Sequence, residues 1–280
     1  MEKLLIVDGS NLLFQMFYGM PAQIMGRHGR SIHGTIGFVG ALLKIIRMVE
    51  PTHVAVLFDG ECANARAALD PAYKADRLDY SLMPEADTPF SQLPDIFQTL
   101  ECLGIRYRET SDCEADDWIA GYVRAYGKDM DIVIVSQDSD FFQLISDKVN
   151  ILRYRGSSTV LWDHDYLLEK LGILPSQYAA YKALTGDTAD NIQGIPKVGP
   201  KTAAALMGQF GDLDELILRM DEIRKPSVRE SIRGNIPRLR LNHRLICLTG
   251  VETLPFSLDE LTFSLPDITS TQVLRELGIL

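Results

Sequence analysis

The chain has 280 residues, 46% of them hydrophobic and 24% charged, with a mean hydropathy of zero. These values exclude a disordered chain, a fibrous repeat and a membrane-spanning protein, and no apolar run approaches the roughly 20 residues of a spanning helix. The net charge of −10 argues at first against a nucleic-acid partner.

The first predicted element is a strand, Lys3–Val7, stopped by Asp8 and followed by Gly9-Ser10-Asn11, a turn rich in helix-capping residues. Apolar residues at helical spacing (Ile36, Val39, Leu42, Leu43, Ile46) predict a helix from Thr35 to Val49, ended by Pro51. VAVLF within His53–Phe58 predicts a second buried strand, ending at Asp59-Gly60. Cys62 to about Pro89 has weak periodicity and many charges, and reads as a partly helical, mobile insertion. A helix at Leu93–Leu103, a strand at Ile105–Arg108 and a helix at Glu114–Tyr126 follow. DIVIV at Asp131–Val135 is a third apolar strand, leading into Ser136-Gln137-Asp138. Beyond about residue 165 the pattern is nearly all helical. No C-x-x-C or H-x-x-H spacing occurs among four cysteines and five histidines, so neither zinc nor a disulfide framework is expected, and a reducing cytoplasm fits.

Strands alternating with helices predict an α/β core: a central, mostly parallel sheet with helices on both faces, binding ligands beyond the carboxyl ends of its strands. Each apolar strand is followed by an aspartate. Asp8, Asp59, Glu114, Asp116, Asp117, Asp138, Asp140, Asp187 and Asp190 all fall at strand ends or helix starts, with Glu114/Asp117 and Asp187/Asp190 spaced to share helix faces. One such acid alone is usually a cap. Nine on one edge would repel strongly, and hard divalent ions, Mg²⁺ or Mn²⁺, relieve that with oxygen-only ligands. Two such ions about 4 Å apart can clamp a phosphodiester and activate water. Setting the nine aside leaves 29 acids against 28 bases, so the objection to nucleic acid largely disappears.

The segments LLIVDGSNLLF, THVAVLFDG, YKADR, CEADDWIAGY, VIVSQDSDFFQLIS and LTGDTADNIQGIPKVGPKTAAAL carry a resemblance, in order and spacing, to the bacterial 5′→3′ exonuclease/flap endonuclease family. That family includes the N-terminal domain of DNA polymerase I and free-standing relatives. The resemblance runs from about Lys3 to about Leu248. It implies a PIN-like nuclease core over 1–170 with an arch insertion at about 62–89, and a helical DNA-binding part over 171–280 with a helix-hairpin-helix. It also implies a two-metal site with counterparts of all nine acids. Asp8, Asp59, Glu114, Asp116, Asp138 and Asp140 would form the more essential cluster, and Asp117, Asp187 and Asp190 would complete the second ion's shell.

The resemblance further assigns Arg66, Tyr73 and Lys74 to the base of a helical arch admitting a single-stranded 5′ end. Lys74 and Arg66 would stabilise charge on the scissile phosphate and Tyr73 would stack on a displaced base. Arg77 lies in the same insertion. In Ile195–Ala203, Gly199 would permit a turn with positive φ, and the groups of Lys197, Val198, Gly199, Lys201 and Thr202 would hold a duplex phosphate. K⁺ bound by carbonyls is implied there too. Between Arg224 and Arg244 seven Lys/Arg face one acid, Glu230, so Arg229 and Arg233 are candidate phosphate contacts. Three residues depart from the family pattern: Gln15 for a phosphate-facing Arg, Ala65 for an aromatic, and Lys197 for a glycine.

The expected activity is hydrolysis of phosphodiesters at 5′ ends and 5′ flaps of DNA, in replication and repair, RNA primer strands included. The expected protein is a cytoplasmic monomer with no membrane partner. With no polymerase domain after residue 280, it would act alone. The competing reading is a DNA-structure-binding protein with little or no cleavage, because Gln15 and Ala65 have cost activity. A third, a ribonuclease of a related superfamily, fits the hairpin motif poorly.

Overall fold

The computed structural model describes residues 2–27, 29–60 and 65–280, with Ala65 as backbone only. The expected start of the insertion, including Cys62, and the Ala65 side chain lie outside the described residues. In chain order the elements are β1 (Lys3–Asp8), α1 (Gly9–Gly19), α2 (His33–Val49), β2 (His53–Phe58), α3 (Ala65–Leu69), α4 (Leu93–Cys102), β3 (Arg106–Glu109) and α5 (Ala115–Tyr126). They continue with β4 (Asp131–Val135), β5 (Val149–Arg153), β6 (Val160–Trp162), α6 (His164–Leu171), α7 (Tyr178–Thr185) and a two-stranded hairpin, β7 (Gly186–Asp187) and β8 (Ile192–Gln193). Five helices complete the chain: α8 (Pro200–Phe210), α9 (Leu213–Leu218), α10 (Pro226–Gly234), α11 (Ile236–Ile246) and α12 (Ser270–Glu276).

The main sheet has the order β3-β2-β1-β4-β5-β6, parallel throughout except for the β5–β6 pair. Connections run outward from β1 in one direction to β2 and β3, and in the other to β4, β5 and β6. The sheet therefore has its switch point at the β1/β4 pair, where the carboxyl edge opens into a crevice. The apolar runs of β1, β2 and β4 are buried on both faces because helices cover both. Alternation divides them: Leu4 and Ile6 join Ile132, Ile134, α5 and helices α7 to α11, while Leu5 and Val7 join Phe38, Leu42, Ile96 and α12. Edge strand β3, RYRE, is largely exposed, which suits a strand paired on one side only.

The insertion is partly helical, as its composition predicts: α3 is followed by single turns of 3₁₀ helix at Tyr80–Leu82, Glu85–Asp87 and Pro89–Gln92. Two strands, β5 and β6, lie where the sequence analysis expects no element. The C-terminal stretch returns to the α/β core. Phe263 N–H donates to Thr52 O at 2.8 Å, and Val273, Leu274 and Ile279 are buried against the α2/α4 layer. Cys102, Cys113 and Cys247 are free thiols. Among the described residues no helix is long and apolar enough to cross a membrane.

Candidate active site

The crevice at the switch point is built by strand ends that each deliver one acid. Asp8 closes β1 and caps α1: its Oδ1 accepts from Asn11 N–H at 2.9 Å, and its Oδ2 from Ser136 Oγ at 2.8 Å. Asp59 follows β2. Its N–H donates to Ser10 Oγ at 2.8 Å, and its Oδ1 accepts from Ala115 N–H at 2.9 Å, tying β2 to the start of α5. Gly60 is needed next to it, because a Cβ there would lie 2.1 Å from Thr110 O. Glu114 caps α5, with Asp116 and Asp117 in its first turn, where the helix dipole favours negative charge. Beyond β4, Asp138 N–H donates to Ser136 Oγ at 3.0 Å, and Asp138 Oδ1 accepts from Asp140 N–H at 2.8 Å.

Asp187 and Asp190 arrive from the β7/β8 hairpin. Gly186 there has φ +82°, and a Cβ would lie 2.4 Å from Gly194 N, so the hairpin can close only on glycine. One main-chain and one side-chain bond dock this hairpin on the insertion: Lys74 N–H donates to Asp190 O at 3.0 Å, and Asn191 Nδ2 to Ala72 O at 3.0 Å. The second group of acids is thereby held against the base of the insertion.

Burial and repulsion act together on Asp8, Asp116, Asp138 and Asp140. Burial first, then the Asp59 charge, pushes the Asp8 carboxyl up to about 7, although Asn11 and Ser136 oppose the shift. Asp116 is raised well above the usual carboxylate range by burial and by Asp138, Asp8 and Asp59. Asp138 is raised chiefly by burial, with Asp190 and Asp187 adding to it and Lys74 opposing. Asp140, only 8% exposed, is raised by burial and by Asp138, with Lys182 opposing. Asp140 Oδ1 is buried and has no hydrogen-bond partner. Oxygen-only donors at raised pKa with an orphaned buried oxygen fit hard divalent cations such as Mg²⁺ or Mn²⁺.

Four acids meet cations. Arg66 bonds Glu114, and also Asp117 at 2.7 Å; Lys74 bonds Glu114; Arg77 bonds Asp190 at 2.8 Å; Lys182 bonds Asp187 at 2.5 Å. A half-buried arginine, Arg66, thus occupies part of the acidic pocket. Among the described residues no three Asp, Glu, His or Cys side chains form a ready-made metal-holding group. Lys182 and Ser136, both absent from the expected site, carry much of this arrangement. Lys182 has no sequence signal, since its partner is set by the fold of the following turn.

Two expectations are corrected. Tyr73 is 6% exposed within the core, with Lys74 Nζ 4.8 Å from its ring centroid, so its ring is covered and is not presented to a base. In the Ile195–Ala203 turn the positive φ belongs to Lys197, at +67°, while Gly199 is extended at φ −91°, ψ 177°. Lys197 therefore occupies the left-handed position that glycine fills without strain.

Val198 is buried in the core, and Lys197 and Lys201 are exposed. Helix α8 starts with Pro200 and has no side-chain cap, which leaves the N–H groups of Lys201 and Thr202 directed outward. The Ile195 and Pro196 carbonyls already accept from Val198 N–H and Ser231 Oγ, so K⁺ at this turn rests on the resemblance alone. The basic run is largely used internally: Arg229 donates to the Asp221 and Ile223 carbonyls, Arg233 pairs with Asp221 and Glu230, and Arg238 with Asp70.

Similarity to known proteins gives first the class of protein, a nuclease with a resolvase-like α/β layer and a SAM-like helical layer. The model for "5′-3′ exonuclease, N-terminal resolvase-like domain" matches residues 3–172. That for "5′-3′ exonuclease, C-terminal SAM fold" matches residues 173–269. The chain belongs to the 5′–3′ exonuclease family. It is 37% identical over 268 residues to DNA polymerase I of Rhizobium leguminosarum, covering 93% of this chain and 26% of that protein. It is 33% identical over 259 residues to the thermostable DNA polymerase I of Thermus thermophilus, covering 92% and 30%. The chain thus spans about a quarter to a third of the length of these relatives. Two solved structures share the fold. One is the bacteriophage T5 D15 protein co-crystallised with metal ions, with a TM-score of 0.72, 22% identity and coverage of 89% and 90%. The other is the catalytic core of Rad2 in complex with DNA substrate, with a TM-score of 0.61, 16% identity and coverage of 99% and 93%.

Proposed function

We propose that this chain is a divalent-metal-dependent 5′ nuclease that hydrolyses phosphodiesters near the junction of a 5′ single strand with duplex DNA, leaving a 5′-phosphate and a 3′-hydroxyl. The observation that carries this reading is the meeting of Asp8, Asp59, Asp116, Asp138 and Asp140 at one strand-end crevice, where burial and repulsion raise Asp8, Asp116, Asp138 and Asp140 and one Asp140 oxygen is left without a donor. Those five residues would hold divalent ions, with Glu114, Asp117, Asp187 and Asp190 completing the shell. Bound ions supply charge neutralisation at the scissile phosphate and acidify the attacking water.

The chain's own residues do the rest. Lys74 and Arg66 border the crevice, and leave their acid partners to meet the phosphate as charge develops on it. The outward N–H groups of Lys201 and Thr202, with Lys197, grip the duplex backbone without reading bases. RNA primer strands, action in replication and repair, and a monomeric state belong to the same reading.

The four cation-paired acids favour a competing reading, a DNA-structure-binding protein with little cleavage. Cleavage of a 5′-flap substrate with and without Mg²⁺, beside an Asp138→Asn control, separates the two. Metal-dependent product that the variant loses supports the nuclease; tight binding with no product supports the competitor.

A further inference from the structure

The carboxyl edge of the sheet changes sign one strand away from the acids. Beyond the last β4–β5 pair, Val135↔Leu152, the two strands continue as Ser136-Gln137-Asp138 and Arg153-Tyr154-Arg155. Gln137 joins them with every polar atom it has. Its N–H donates to Asn11 Oδ1 at 2.9 Å, its carbonyl accepts from Arg153 Nη2, its Nε2 donates to Tyr154 O at 3.0 Å, and its Oε1 accepts from Arg155 Nε at 3.0 Å. Gln15 Nε2 donates to the same Tyr154 carbonyl at 2.7 Å. Arg153 lies against the stacked rings of Phe142 and Trp162, 5.5 and 5.9 Å from their centroids.

Each guanidinium is therefore placed by one bond to Gln137, that of Arg153 also by the aromatic pair, yet among the described residues neither has a carboxylate within ion-pair distance. Arg153 Nε is buried without a partner. Burial, then the adjacent Arg155 charge, pulls the Arg153 guanidinium below its usual range, with Tyr178 and Asp138 opposing. Two adjacent like charges, Arg153 half-buried and Arg155 exposed, repel each other, and an anion that joins them relieves the repulsion.

We infer that Arg155, oriented by Gln137 and backed by Arg153, forms a subsite for one phosphate of the nucleic-acid strand, next to the phosphate that is cut. The inference rests on the nuclease reading above and extends it. The planar fork of Arg155 keeps both Nη groups for phosphate oxygens, a geometry lysine cannot reproduce. Neighbouring strands lie about 4.8 Å apart, so a chain with one phosphate at Asp138 brings the next toward Arg155. The acids then address the reacting phosphate, while the arginines fix the register of the strand and carry no step of the chemistry.

The test uses the full chain, a 5′-flap DNA with Mg²⁺, and a set of flaps each carrying one neutral methylphosphonate near the junction. Arg155 is exposed, so Arg155→Ala does not disturb the core. Arg155→Ala is expected to raise KM about tenfold with kcat changed less than about twofold, and to lower the slope of log Kd against log salt by about one. Arg155→Lys restores the salt slope but only part of the affinity. One methylphosphonate position costs the wild type the same factor and costs Arg155→Ala nothing more; that position tells a terminal 5′-phosphate from an internal diester. The subsite is overturned if KM and salt slope are unchanged, or if every methylphosphonate costs both proteins equally. If the wild type binds without cutting, the same cycle is read from Kd and still decides the subsite while the nuclease reading fails. If it neither binds nor cuts, both fall.

Discussion

Ser136 Oγ donates to Asp8 Oδ2 at 2.8 Å across the β1/β4 boundary and accepts from Asp138 N–H at 3.0 Å. One hydroxyl thus joins the two strand ends at the switch point and sets the spacing of their carboxylates. The Ser136 side chain is buried, so no water replaces it. Ser136→Ala is expected to lower stability by about 1–3 kcal/mol and to weaken Mg²⁺ binding. Thermal melts with and without Mg²⁺ measure both effects, and a variant that melts and binds like the wild type contradicts the link.

The raised acids fix the direction of pH dependence. Asp8 is held at about 7 in the folded chain against an ordinary carboxylate value of 3.8. Its protonated form is favoured by folding, so this contribution is full below about pH 4 and is lost as pH rises through 7, up to about 4 kcal/mol. Asp116, Asp138 and Asp140 are shifted in the same direction. In EDTA, the Asp8 contribution should fall between about pH 4 and 7, and the other three acids add to the fall. Mg²⁺ should reverse the trend, its stabilisation growing with pH as protons leave. Melting across pH in EDTA and in Mg²⁺ checks this, and a metal-free midpoint that rises from pH 6 to 8 contradicts it.

Lys74 combines φ +56°, an ion pair with Glu114 and a charge felt by Asp116 and Asp138. A long side chain held in left-handed backbone at the mouth of an acidic crevice is strain retained at a working position. Lys74→Ala is expected to slow cleavage in single turnover by about 10²–10³-fold, with binding of the flap little altered. A loss confined to binding shows that Lys74 only positions the strand.

Lys197 pays a backbone cost for its charge. Replacing it by glycine relieves the left-handed φ, worth about 1 kcal/mol, less what the freer unfolded chain gives back. Lys197→Gly should therefore melt no lower than the wild type, yet bind duplex more weakly with a salt slope reduced by about one. Lys197→Ala, which keeps the strain and loses the charge, should be the less stable of the two. Equal duplex binding by all three proteins removes Lys197 from the interface.

Much of the sheet edge is legible in the sequence because β1, β2 and β4 are apolar runs, each ended by an acid, and such runs are buried in parallel sheets. Strands β5 and β6 lie nearer the sheet edge; β5, VNILR, breaks its apolar run with Asn150 and Arg153, and β6, VLW, is only three residues long, so periodicity does not mark them. Arg153 and Arg155 are hidden for the same reason. The ion pairs of Arg66, Lys74, Arg77 and Lys182 join residues that only the tertiary fold brings together, and the burial of Tyr73 follows from the docking of the insertion on Asp190 and Asn191. Lys197 against Gly199 shows a finer limit: a Gly-Pro pair marks a turn, but not which residue of it bears the positive φ.

The nuclease account depends most on the crevice between Asp8, Asp59, Asp116, Asp138 and Asp140. A crystal structure of the chain soaked in Mn²⁺, with anomalous scattering to locate the ions, tests it most directly. The account predicts ions at about 2.1 Å from oxygens of these carboxylates, Asp140 Oδ1 among them, with Arg66 and Lys74 drawn off Glu114. Mn²⁺ that leaves the crevice empty while Arg66 and Lys74 keep their pairs with Glu114 would contradict it.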